Sequence, residues 1–61
     1  MRAMIQRYRV DSNQELWSGD VPVVPRVGEF ICIDPDDASL IVERVEWDYS
    51  TQPIELCIVV R

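Results

Sequence analysis

Histidine and lysine are both absent from this 61-residue chain. Their loss removes the commonest general base, the amine nucleophile and the usual partners that activate a serine. The four serines (Ser12, Ser18, Ser39 and Ser50) therefore have no base to work with, and no catalytic residues are expected. Cysteine occurs only twice, at Cys32 and Cys57, with no C-x-x-C pair and no histidine. That cannot supply a four-ligand zinc site, and both thiols sit in apolar runs where cysteine acts as a small hydrophobe. No uncharged run approaches the ~20 residues that a bilayer-spanning helix needs. The opening Met-Arg-Ala-Met-Ile-Gln-Arg carries no signal-peptide core, so a soluble cytoplasmic protein without a disulfide is expected. No cofactor is expected either.

What is present is a small domain with a strong β bias. Hydrophobic residues make up 48% and charged residues 28%, which excludes a disordered acidic tail. Valine and isoleucine number fifteen, against five for alanine and leucine, and β-branched side chains suit pleated strands. A chain this short hides only about 60% of its unfolded surface, so one domain spanning residues 1–61 must be marginally stable on its own.

Eleven acids against six arginines give a net charge of −5. A general nucleic-acid binder needs the opposite balance. The charge is also unevenly distributed: residues 1–10 carry +3 and the remainder −8. A basic first element beside an acidic body can satisfy itself within one molecule or between two copies.

Periodicity places the elements. Residues 4–10 alternate, with Met4, Gln6, Tyr8 and Val10 on one face and Ile5, Arg7 and Arg9 on the other, as in a strand. Asp11-Ser12-Asn13-Gln14 is turn chemistry, and residues 15–18 return as a brief second strand. Pro22 and Pro25 make the stretch 19–28 an extended connector, and Gly28 allows a sharp turn into a strand over 29–34. Asp34-Pro35-Asp36-Asp37 is a second turn.

The segment 39–47 carries two patterns. Ala38, Ile41, Val42, Val45 and Tyr49 lie at helical spacing behind a capping Asp34-Pro35, which would give an α+β fold with a helix over 36–48. A strand instead requires a bulge near Glu43-Arg44 to align Val42, Val45 and Trp47, and the β-forming composition favours it. Residues 54–61 alternate most clearly, and their second face is also apolar, so this strand is central or covered by a partner. Short strands joined by compact turns predict an all-β fold of four or five strands, an antiparallel meander or small open barrel.

Pro25-Arg26-Val27-Gly28-Glu29, a strand, Val42-x-x-Val45-x-Trp47-Asp48 and an apolar alternating strand together resemble small SH3-like β-barrel proteins of bacteria or mobile elements whose function is unassigned. The resemblance covers residues 25–61. It implies an SH3-like β fold and a strand over 39–47, and it brings no activity. The Ala-Leu-Tyr-Asp-Tyr run and paired tryptophans of SH3 peptide binders are absent.

Three groups of residues carry candidate chemistry. Asp34, Asp36 and Asp37 form an acidic cluster that is a weak divalent-metal candidate. The EF-hand template fails on them, with Pro35 at its second position, Ser39 in place of its glycine and Val45 in place of its last glutamate, and an aspartate turn explains them without metal. Tyr8, Phe30 and Trp47 are expected in the core, leaving Trp17 and Tyr49 as a possible acidic-rimmed aromatic platform for another protein. Packing under the connector is the favoured expectation for Trp17, with the platform as its alternative. Arg7 and Arg9 could grip phosphate, though pairing with Glu43, Glu46 or Glu55 on a neighbouring strand is the simpler expectation. The functional expectation is a non-catalytic interaction module that self-associates, with a dimer favoured and its basic first strand set against an acidic face. The alternatives are an acidic decoy that occupies a cationic protein site and a divalent-metal-binding domain.

Overall fold

The computed structural model describes residues 1–8, 12–36 and 38–61. The expected end of the first strand at Val10 lies outside them. Among the described residues the chain forms five strands and no helix: β1 (Arg2–Tyr8), β2 (Asn13–Asp20), β3 (Phe30–Ile31), β4 (Leu40–Asp48) and β5 (Glu55–Val60). They make one curled sheet in the order β2-β1-β5-β4-β3, consistent with a small open SH3-like barrel. No helix among the described residues is long and apolar enough to cross a membrane.

β5 is the spine. Its residues are apolar on both faces, and it sits between β1 and β4, buried from Leu56 to Val60. It is therefore central, as its pattern predicted. β5 runs antiparallel to β4 but parallel to β1, with Ala3 beside Leu56 and Ile5 beside Ile58. The sheet is thus not a simple meander: a parallel neighbour needs a long return, and β2, β3 and β4 together supply it.

Two bulges set which side chains face the core. On β2, Ile5 pairs with Trp17 but Gln6 pairs with Glu15, so Leu16 is an additional residue. This lets the consecutive Leu16 and Trp17 both pack on the core. The interruption masks the alternation of β2, which is why the predicted strand over 15–18 is shorter than the observed one and why Asn13 and Gln14 were assigned to a turn. On β4, Val42 pairs with Val60 and Arg44 with Val59, leaving Glu43 as the additional residue. Val42 and Val45 then share a face, so the helix over 36–48 does not form and the bulge expected near Glu43-Arg44 does.

The strand predicted over 29–34 shrinks to Phe30–Ile31, opposite Ile41 and Leu40. Its entry is fixed by a reverse turn. Glu29 N–H donates to the Arg26 carbonyl at 3.1 Å, Gly28 has φ +92°, and the Glu29 carboxylate also accepts from Arg26 N–H. Positive φ at the third position is the type II signature that glycine satisfies. The exit comes early because Asp34 Oδ1 accepts the Asp36 N–H at 3.0 Å and Pro35 has no donor, so local bonding replaces the ladder.

The core is aliphatic. Ala3, Ile5, Val42, Leu56, Ile58 and Val60 form it, with Trp17, Val24, Ile31 and Val45 packed against it. The aromatic core expected of Tyr8, Phe30 and Trp47 is not built. Phe30 is 71% exposed because it alternates with the inward Ile31, and Trp47 is 48% exposed at the sheet end. Tyr8 lies on the opposite face from Ile5. There the Gln6 amide donates to the Tyr8 hydroxyl at 3.2 Å, and that hydroxyl donates to Glu46 at 3.4 Å. The Arg44 guanidinium stands 4.7 Å over the Tyr8 ring and bonds Glu46 at 2.7 Å. This polar layer flanks Val59, which is fully buried and pairs in register with Gln6 and Arg44.

Candidate functional site

Besides a concavity of about 370 Å³ beside Gln6, Tyr8, Glu46 and Trp47 on the β1–β5–β4 ladder, two concave surfaces adjoin the core. The first is an apolar groove of about 350 Å³ between β2 and the connector, walled by Trp17, Val21, Pro22, Val23, Pro25 and Ile31. Its geometry follows from the sequence: the two prolines keep the connector extended, and it is tied at its ends, where the Val21 N–H reaches the Met1 carbonyl at 2.7 Å and the Gly28 N–H reaches the Val42 carbonyl at 2.9 Å. Trp17 is held by close approach. A Cβ on Gly19 would stand 2.9 Å from its Cζ2, so only glycine leaves room for the ring. Val23, at the rim, is 74% exposed.

The second is an open cleft of about 770 Å³ at the end of the sheet where β1 and β5 finish and β2 and β4 begin. Arg7, Gln14, Ser39 and Arg61, which carry donor side chains, line it together with Asp34.

The residues proposed from the sequence separate. Trp17 packs against the core beside the connector, as expected for it. Tyr49 is 72% exposed in the turn after β4. Trp17 lies on the core and Tyr49 in an exposed turn beyond β4, which β1 and β5 separate from β2 in the sheet order, so no joint platform is built. Arg7 does not pair with Glu43, Glu46 or Glu55. It shares the face of Ile5, whereas Glu46 bonds Tyr8 on the other face, and Arg44 takes Glu46 at 2.7 Å and Glu43 at 3.8 Å. Arg9 lies outside the described residues. β1 is hydrogen-bonded on both sides, so the first strand has no free edge to offer a second copy. Of the acidic cluster, Asp34 closes its own turn onto Asp36, and Asp37 lies outside the described residues. Among the described residues no group of three potential ligands is assembled for a metal.

The sequence reading passed over Arg61, the groove walls and Arg44. Arg61 was visible only as the end of a strand. Its backbone is fixed by two hydrogen bonds with Ile41, at 3.0 and 3.1 Å. The prolines signalled an extended connector but not the space beneath it.

The remaining polar groups serve local structure. Hydrogen bonds from the Ser50 hydroxyl and N–H hold the Asp48 carboxyl below its usual range, in a turn that also contains a cis Gln52–Pro53 bond. Burial, reinforced by Glu55, Asp48 and Glu46, pushes the Cys57 thiol up, which favours an inert thiol. Cys32 is free and exposed, with Sγ 3.4 Å from the Asp34 carbonyl. No protein-family profile, curated protein or solved structure matches this chain.

Proposed function

We propose that this chain is a small non-catalytic interaction module that dimerises through the apolar groove beside Trp17. The observation that carries the reading is the groove itself, walled by apolar residues and rimmed by the exposed Val23 on an extended connector. Exposed apolar surface beside a concavity is the usual mark of an interaction site. A second copy is the occupant that fits best. Each chain carries both the groove and the projecting connector, so a two-fold contact can bury each connector against the other molecule. A stable interface needs about 800 Å² per partner, nearly a fifth of the 4468 Å² this chain exposes, so the contact would extend from the groove over the connector. The contact would also relieve the thin burial of a 61-residue domain. The non-catalytic part rests on the lack of histidine and lysine.

Sedimentation equilibrium tests this directly. The expected mass is near twice 7.1 kDa at high micromolar concentration and holds at high salt. Val23→Glu should return the protein to a folded monomer by far-ultraviolet dichroism, with a melting temperature that is lower than wild type and no longer rises with concentration. A wild-type monomer at that concentration would remove the proposal, and a dimer lost on raising the salt would replace the apolar contact with an ionic one.

A further inference from the structure

Arg7 and Arg61 meet a problem that the rest of the molecule does not solve. Both line the cleft at the end of the sheet, and among the described residues neither guanidinium is ion-paired. Two like charges facing one space repel, and in a chain of eleven acids partners were available. The fold withholds them: the register turns Arg7 away from the glutamates of β4, and the Ile41 hydrogen bonds fix Arg61 at the cleft. Asp34 is the one acidic side chain on the wall among the described residues, against the two guanidinium groups.

We propose that this cleft binds a small carboxylate anion on a short apolar tail. The two guanidinium forks are planar, permanently charged and shaped for a carboxylate. The Gln14 amide and Ser39 hydroxyl can supply further donors to its oxygens. Leu16 and Leu40 form apolar wall beside these donors, which favours an organic acid over an inorganic ion. The surrounding net charge of −5 disfavours polyanions and leaves a monoanion as the matching guest. This site shares the Ile33 wall with the groove, but its arginines lie outside the groove and its binding does not require dimerisation.

The test is a nuclear magnetic resonance titration of the full chain with butyrate, with inorganic phosphate and sodium chloride as parallel arms. Butyrate should give saturable shifts at the Arg7 and Arg61 Nε–H signals and at the Leu16 and Leu40 amides. Sodium chloride at matched ionic strength should not. Arg7→Gln and Arg61→Gln should each weaken butyrate binding about tenfold or more, the loss expected for a hydrogen bond to a charged group. Arg2→Gln, on an exposed residue at the other end of β1, should leave it unchanged. Identical shifts with sodium chloride, or undiminished binding in both arginine variants, would overturn the site. Phosphate binding more tightly than butyrate would overturn its assignment to a carboxylate with an apolar tail.

Discussion

The β1–β5–β4 ladder and the stretch from residue 21 to 39 are of similar length but are built in opposite ways. In the ladder every strand has neighbours, and β5 is buried on both faces. In the other stretch the only strand among the described residues is two residues long, and Val23, Val27 and Phe30 are exposed. The difference teaches where a marginal domain keeps its stability and where it has surface to spare. Register-paired Val, Ile and Leu supply the first. Proline, Asx turns and a glycine turn supply the second, and both candidate sites draw walls from this looser part.

The sharpest way to break that comparison is to truncate one large side chain in each region. Ile58→Ala removes a fully buried residue of the spine and should cost about 2–5 kcal/mol, enough to unfold much of so small a domain. Phe30→Ala removes a larger side chain and should cost about 0.5 kcal/mol, because the ring already lies in solvent. Urea midpoints compare the two, and equal losses would contradict the division. Gly19→Ala, at the boundary between the regions, should cost about 1–3 kcal/mol by forcing the Trp17 ring out of its seat. Its tryptophan emission should shift to the red, and an unshifted spectrum would mean that the groove wall does not depend on this glycine.

The smallest effect expected is electrostatic and lies in the turn before β5. Asp48 has a lowered pKa when folded, so the unfolded chain binds its proton more readily. Its contribution to stability is complete above the ordinary carboxylate range and is lost as pH falls through the lowered value. Asp48→Asn should therefore flatten the acid limb of a melting-temperature profile, and an identical limb would show that the Ser50 contacts do not persist in solution.

The same division explains what the sequence made legible. The doubly apolar run at 54–61 and the β-branched 39–47 segment reported their strands because packing there follows period two or a single bulge. Gly28 and the two prolines reported a turn and a connector because backbone constraint is local. β2 was understated because one additional residue, Leu16, breaks its alternation. The parallel pairing of β1 with β5 left no local trace, since it depends on strands more than forty residues apart. The candidate sites were the least legible. Arg7 keeps company with Arg61 rather than with a glutamate, and Trp17 with the connector rather than with Tyr49. Both outcomes follow from strand order, which composition and spacing do not encode.

Native-state hydrogen exchange tests the central division most directly. The amides of Leu56–Val60 should exchange only through global unfolding, while those of residues 32–36 and of the connector should exchange orders of magnitude faster. Comparable protection across the two regions would contradict the account, because it would place the 21–39 stretch inside the same cooperative unit as the β5 spine.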